Sequence, residues 1–528
     1  MIKYIFLLVV FCALNISGFA QVGIQWSKCY GSDSGSTSGY FIINTSDGGF
    51  LTTGVAQADG NDVSGIHNYS VDGWVVKIDS LGNIIWQKCL GGSAGESAIA
   101  AVEVDGGYVI ACESGSSDGD VTRNQGYSDF WIVKLNYTGS IIWEKSYGAY
   151  LQEHISDIAA SPDGGIILVG AVRSLDSGDV SGHHGGSGAD DMWLVKLDSL
   201  GNLIWQKCLG GTHQEILGQV ECDPFGNIYV VCGTNSVDGD VTCFADSRNV
   251  WLTKLDSNAN ILWDRCYGGI NTAYGQSIYS MQIIDRRILM SGWASSNDGD
   301  LNHNYGYSDA WILLTDTSGN IIFSESYGGS RSDEFFSARM VSDNYIVAGG
   351  WTNSSDHDIH NNSFPSATEC WLVAVDTLGN LLWENTYGGS GGERLNSLCV
   401  QNNKIVFTGW TISPNSGDVS GRHSSVGDEW VVCLDLLTQI SENNNKHDYT
   451  VYPQPFSSDF HLNYIDKVFQ FSDCHIEMFD INGSLIPIQK IVSDHSIQIK
   501  PDKSISSGIY FIRVLSELTV SNIKMIKM

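Results

Sequence analysis

Asp72-Gly73-Trp74-Val75-Val76-Lys77-Ile78-Asp79-Ser80-Leu81-Gly82-Asn83-Ile84-Ile85-Trp86-Gln87-Lys88-Cys89-Leu90 is two apolar runs, each carrying a tryptophan, joined by a short Asp/Gly/Asn turn. Such runs read as paired strands, and the turn glycine supplies the positive φ that a tight hairpin needs. The phrase keeps returning. Its first tryptophan recurs as Trp74, Trp131, Trp193, Trp251, Trp311, Trp371 and Trp430, at spacings of 57, 62, 58, 60, 60 and 59 residues. Its second recurs as Trp26, Trp86, Trp143, Trp205, Trp263, Phe323 and Trp383. A near-fixed period of this length marks a repeat architecture, and about four short strands per repeat fit one propeller blade.

Residues 83–139 serve as a template for the repeat. Strands are expected over 83–90, 97–104, 108–113 and 130–135, with turns at Gly91-Gly92-Ser93 and Asp105-Gly106-Gly107 and a long polar loop over 114–128. The phase matters. The array starts at Trp26, in the last strand of a blade, and stops at Trp430, in the third strand of one. A lone strand at one end can complete a three-stranded sheet at the other, which removes an exposed sheet edge. The expectation is an all-β chain: a seven-bladed β-propeller over 21–437 with three-plus-one strand closure, followed by a small C-terminal β-sandwich. A linear solenoid is the competing architecture.

Composition limits the partners. Formal net charge is −31, so nucleic acid, which needs a basic surface, is excluded as a partner. Residues 1–20 read as a secretory signal peptide: Lys3, an apolar run from Ile5 to Leu14, and small residues at Gly18-Phe19-Ala20. That run is too short to span a bilayer, and no other segment reaches transmembrane length. Cys29, Cys89, Cys208 and Cys266 occupy one repeat position, and Cys112 and Cys232 another. Equivalent positions on separate blades lie too far apart to bridge. These cysteines are therefore expected to be small buried fillers, not a disulfide framework.

All the long loops are expected on one rim, the usual place for binding on a rigid scaffold. They repeat acids. Asp62, Asp120, Asp179, Asp240, Asp300, Asp358 and Asp418 stand in all seven copies, and Asp59, Asp118, Asp176, Asp238, Asp298 and Asp356 two or three residues earlier in six. Asp72, Asp129, Asp191, Asp309, Glu369 and Asp428 precede the tryptophans by two, while Glu96, Glu153, Glu215, Asp333 and Glu393 lie in the connections between blades. The first set together with Glu96, Glu153, Glu215 and Glu393 forms the candidate ligand-binding rim. A structural role competes with this, since a loop Asp can accept hydrogen bonds from backbone N–H groups of its own turn. Calcium is the candidate cofactor, with Asp118, Asp120 and Asp129 as candidate ligands, because the ion takes 6–8 oxygens from carboxylates and loop carbonyls. Loop histidines such as His67, His184 and His423 read as solvated side chains. Tyr127, Tyr305 and Tyr307 are the candidate exposed aromatics for ligand stacking. No nucleophile elbow, zinc-protease helix or phosphate-cradling loop occurs, so no catalytic residues are assigned.

After Leu437 the composition shifts. Residues 438–448 (TQISENNNKHD) form an Asn-rich linker, and residues 449–528 carry 8 acidic and 7 basic side chains, a net of −1. The motifs Tyr452-Pro453-Gln454-Pro455-Phe456, Ile476-Glu477-Met478-Phe479-Asp480-Ile481-Asn482-Gly483 and Ser507-Gly508-Ile509-Tyr510-Phe511-Ile512-Arg513-Val514 fall there in that order. They resemble the type A C-terminal sorting domain of the type IX secretion system, with Gln454 where that family has Asn. The resemblance implies passage through the Sec translocon and then the type IX outer-membrane translocon. It also implies a protein released, or attached to the outer surface of a Gram-negative outer membrane. The segment Lys77 to Trp86 looks like the tryptophan-docking hairpin of pyrroloquinoline-quinone-type propellers, which implies blade geometry and not the cofactor. The expected function is non-catalytic binding of a glycan, a surface protein or a divalent cation. An extracellular enzyme acting on polysaccharide or a redox substrate, and a structural surface-layer component, are the alternatives.

Overall fold

The computed structural model describes residues 22–436 except 174, 187, 244–248 and 270–274, and then 449–452, 459–464, 475–480, 485–493, 496–501, 508–515 and 520–527. The leader 1–20 and the linker 438–448 lie outside the described residues. Among those described the chain is all β, in nine four-stranded antiparallel sheets. No helix there is long and apolar enough to cross a membrane.

Seven sheets lie within 24–435. In the template repeat the strands Glu96–Val104, Gly107–Ser114, Asp129–Leu135 and Ile141–Tyr147 pair in chain order. Six sheets follow this pattern. The seventh takes Glu393–Gln401, Lys404–Thr411 and Asp428–Asp435 from the end of the array and adds Ile24–Tyr30 from its start, with Cys29 opposite Trp430. Each first strand packs against the first strand of the next sheet, and Glu393–Gln401 packs against Thr37–Asn44.

The two tryptophan series have different tasks. The third-strand series is the core of each sheet, from Trp74 to Trp430, at 0–2% exposure. Most of these indoles donate Nε1–H to a polar residue thirteen positions on, such as Gln87 (2.8 Å), Glu144 (2.9 Å) or Gln206 (2.7 Å). A buried indole needs such an acceptor, so an outer-strand Gln or Glu is part of the core. The fourth-strand series joins neighbouring sheets. Trp26, Trp86 and Trp143 lie on the turn glycines Gly82, Gly139 and Gly201 of the next sheet, where a Cβ would come within 2.8–2.9 Å of the ring. Those glycines have φ of 77°, 81° and 80°, so both sterics and backbone demand Gly. Tyrosines at the ends of fourth strands add a staple: Tyr147 and Tyr327 donate to the carbonyls of Gly201 and Gly379, both at 2.6 Å. Tyr387 donates to Val22 O at 2.8 Å. Val22 stands four residues before Trp26, as Gly82 stands four before Trp86.

Every first strand carries a β-bulge at the same height, between Gly39/Phe41, Ala98/Ala100, Ile155/Asp157, Ile216/Gln219, Ile278/Ser280, Phe335/Ser337 and Leu395/Ser397. A bulge re-aims one side chain out of the pleat. Side chains at and just after the bulges tie adjacent first strands together: Val220 N–H donates to Asp157 Oδ2 (3.0 Å), and Asn396 Nδ2 donates to Gly39 O (2.7 Å).

One cysteine expectation is corrected. Cys266 is joined to Cys243, with Cα atoms 5.6 Å apart. The long loop brings Cys243 over the outer strand of its own sheet, where its neighbour Thr242 donates to Asp264 (2.5 Å). The equivalent Cys29, Cys89 and Cys208 are free and buried, as are Cys112 and Cys232.

The tail forms the other two sheets. One orders Tyr449–Tyr452, Phe460–Tyr464, Ser496–Pro501 and Ile488–Ser493; the other orders Leu485–Ile486, His475–Asp480, Gly508–Leu515 and Val520–Lys527. Tyr452, Gly508 and Tyr510 of the sorting motifs lie in these strands, while Pro453, Pro455, Phe456 and Gly483 lie outside the described residues.

Candidate functional site

The repeated loop acids hold the loops in place. Asp62, Asp120, Asp179, Asp240, Asp300, Asp358 and Asp418 each donate a backbone N–H, at 2.8–3.1 Å, to the carbonyl of a glycine in the inter-sheet turn: Gly31, Gly91, Gly148, Gly210, Gly268, Gly328 and Gly388. In six copies the side chain accepts that same glycine's N–H, for example Gly268 to Asp300 at 3.0 Å and Gly388 to Asp418 at 3.1 Å. The loop is latched to a turn about thirty residues earlier, not to its own backbone as sequence reasoning expected.

The inter-blade acids are buried beneath the loops. Glu96 is 2% exposed, and Glu153, Glu215, Asp333 and Glu393 are fully buried. Each accepts the N–H four residues before it, such as Gly92 to Glu96 (2.9 Å), Ala149 to Glu153 (2.8 Å) and Gly389 to Glu393 (2.9 Å). Glu96, Glu153, Glu215 and Glu393 are therefore not presented at the rim surface. The sequence pattern could not separate them from surface acids, because a carboxylate capping buried N–H groups has the same spacing as one facing water.

Acids from adjacent sheets meet at these junctions. Asp129, fully buried with Oδ2 accepting Gln125 N–H at 2.8 Å, faces Glu153 and Asp179; burial first, and then those two charges, push its carboxyl up to about 6. Asp309 behaves alike: burial, then Asp333 and Asp358, raise it to about 7. Gly148 shows how tight the junction is, since a Cβ there would lie 2.5 Å from Asp129 Oδ1 and 2.8 Å from Glu153 Oε2. Gly148→Ala is expected to destabilise the fold by about 1–3 kcal/mol through overpacking, read as a lower urea midpoint. An unchanged midpoint would contradict this packing.

The calcium set is divided. Asp118 and Asp120 belong to the junction at Gly91–Ser93, where Ser93 N–H donates to Asp118 Oδ1 at 2.7 Å. Asp129 belongs to the next junction, at Gly148. The long loop crosses from one junction to the other, so nearness in sequence does not make these three a shell. Among the described residues no group of three or more His, Cys, Asp or Glu side chains is placed to hold a metal ion. Three histidines span junctions: His67, His184 and His423 set Nδ1 against Asp72 (2.6 Å), Asp191 (2.9 Å) and Asp428 (3.1 Å). Their Nε2 atoms face Asp120 (3.9 Å), Asp240 (3.7 Å) and Asp62 (3.7 Å).

The loops also expose aromatic rings, beside exposed acids such as Asp118, Asp176, Asp238 and Asp356. Tyr127 and Tyr307 are 67% and 65% exposed. Tyr127 meets Tyr150 edge-on at 6.4 Å, and Tyr305 stacks on His357 at 4.2 Å.

The bulges build a second feature that sequence reasoning missed. Tyr40, Ile99, Ser156, Tyr279, Phe336 and Asn396, each the residue set aside by a bulge, line a cavity of about 240 Å³, together with Asp157, Glu221 and Arg339. Tyr279 and Phe336 stack at 4.5 Å, 4° from parallel. Trp293 Nε1–H donates to the Tyr279 hydroxyl (3.0 Å), and the Arg394 guanidinium covers Phe336 and Trp351 at 5.0 and 5.6 Å. A signal was present: Trp293, Trp351 and Trp410 belong to neither tryptophan series yet repeat at 58 and 59 residues.

Residues 450–528 match the family described as a secretion system C-terminal sorting domain. The tail is a type IX secretion sorting signal, and it marks the chain for export to the cell surface or beyond. Solved structures similar to the chain include the WD40 domain of Neurospora crassa Pan2, at 10% identity, covering 79% of this chain and 95% of that one, with TM-score 0.43. A member of the duf4221 family from Bacteroides vulgatus is 9% identical, covering 63% and 91%, with TM-score 0.34. Cobalt-substituted Synechocystis apocarotenoid oxygenase is 9% identical, covering 74% and 87%, with TM-score 0.34. No curated protein sequence matches the chain.

Proposed function

We propose that residues 21–437 are a seven-bladed β-propeller closed three strands plus one, and that it acts by binding outside the cell. Residues 1–20 address the chain to the periplasm, 438–448 form a linker, and 449–528 form a small β-sandwich that carries the propeller across the outer membrane. Pairing of Ile24–Tyr30 with Asp428–Asp435 supports the closure, as does the Tyr387–Val22 bond in the place of the other turn staples. The observation that carries the binding role is the set of loop latches. With its acids engaged in backbone bonds, the long-loop face is a rigid surface that presents exposed rings, and pre-organised aromatic surface binds at low entropic cost. Glycans and surface proteins are the ligands such a face suits best.

Two experiments test this. Deleting residues 449–528 is expected to hold the protein in the periplasm; undiminished delivery to the cell surface would refute the address. Changing Tyr127, Tyr150 and Tyr307 together to Ser is expected to weaken binding on a glycan or envelope-protein array at least tenfold without lowering the melting temperature. Retained binding would remove the long-loop face from the account.

A further inference from the structure

The bulge-lined cavity combines two acids with an aromatic wall. Asp157, 8% exposed, uses Oδ2 to accept Val220 N–H at 3.0 Å. Glu221 lines the same cavity, and its charge and that of Asp157 oppose each other. Arg339 acts on both, but its guanidinium donates to Ser280 Oγ at 3.1 Å and Ala338 O at 2.8 Å. Two carboxylates lining one cavity, Asp157 buried and Glu221 half-buried, with their nearby cation engaged elsewhere, favour protonation or an added positive charge. Burial accordingly pushes Asp157 up to about 6; burial, and then Asp157, push Glu221 up to about 7.

The aromatic wall points the same way. Tyr279 and Phe336 are fixed in parallel by Trp293 and Arg394, and such rings give the apolar body of a cationic ligand a surface to rest on. A chain of net charge −31 also draws cations and repels anions. The volume of about 240 Å³ lies just below the ~300–1,000 Å³ of drug-sized sites, so the occupant is small.

We propose that this cavity binds a small organic ammonium ion, its nitrogen held by Asp157 and Glu221 and its apolar body resting against Tyr279 and Phe336. This goes beyond the long-loop reading and stands or falls separately from it.

The test is calorimetric titration of the full chain at pH 8 with phenethylammonium chloride and with its neutral counterpart, N-acetylphenethylamine. The ammonium is expected to bind at least tenfold more tightly than the amide. Asp157→Asn, which keeps an acceptor for Val220, and Glu221→Gln are each expected to weaken it at least tenfold. Affinity is expected to fall from pH 8 to pH 5 as the acids take up protons. Absence of binding, equal binding of the amide, or variants that bind like the unaltered protein would each overturn the proposal. The comparison of the two ligands needs no variant to fold, and any of these failures leaves the tyrosine experiment on the loop face untouched.

Discussion

Removal of residues 22–30 is expected to cost more stability than any loop deletion of equal length. The segment supplies the strand opposite Asp428–Asp435, the indole that lies on Gly82, the carbonyl that receives Tyr387, and Tyr30, whose hydroxyl donates to Gly82 O at 2.5 Å. Removing a buried aromatic costs roughly 3–5 kcal/mol, and the buried Tyr30 goes together with the half-buried Trp26. The deletion also exposes Asp428–Asp435 as a sheet edge, a template for pairing between chains. A large fall in the denaturation midpoint together with self-association is therefore expected, read by urea titration and size-exclusion chromatography. A truncated chain that stays monomeric with an unchanged midpoint would show that the first strand is dispensable.

Stability is expected to fall as pH rises from 5 to 8. Asp129 is raised to about 6, and Asp309 and Glu429 to about 7, in each case chiefly by burial. Asp157 and Glu221 add to the set at about 6 and 7. Ordinary carboxyls titrate near 4, so over this window the folded state holds protons that the unfolded state has released. Stability then decreases with pH, in full measure below about 4 and progressively lost up to about 7. A tenfold difference in proton affinity between the folded and unfolded states is worth ~1.4 kcal/mol per group. The turn acids Asp79, Asp198, Asp256 and Asp316 are held below their ordinary value, chiefly by hydrogen bonds from Asn83, Asn202, Asn260 and Asn320. They act only below pH 4 and leave the window untouched. Melting temperature should thus be higher at pH 5 than at pH 8, with a shallower slope in Asp309→Asn. A flat or rising profile would contradict the burial of these acids.

The fold was legible because its determinants repeat. A tryptophan in the third strand of each of the seven array sheets and an Asp-x-x-Gly-Asn turn in four of the six hairpins between third and fourth strands leave a periodic record, and the template strands end within one residue of expectation. The phase of the array anticipated the pairing of Trp26 with the sheet of Trp430. The site was less legible, for two physical reasons. The acids were visible but their partners were not, since Asp418 bonds to Gly388 and Asp300 to Gly268 across the loop-turn boundary. The bulge residues share a backbone position and no chemistry: Ile99, Ser156, Tyr279 and Asn396 leave no pattern of their own, and the cavity's trace lay in the spacing of Trp293, Trp351 and Trp410 behind them. Cys243 likewise has no counterpart in the other repeats, so nothing marked it as the partner of Cys266.

Amide hydrogen exchange across residues 24–30 puts the closure to its most direct trial. Paired with Asp428–Asp435 and completing that sheet, these amides should exchange as slowly as those of Trp430 and its neighbours, opening only with the whole array. Exchange at the rate of a frayed terminus, while 428–435 stays protected, would mean that the ring is not closed by its own beginning.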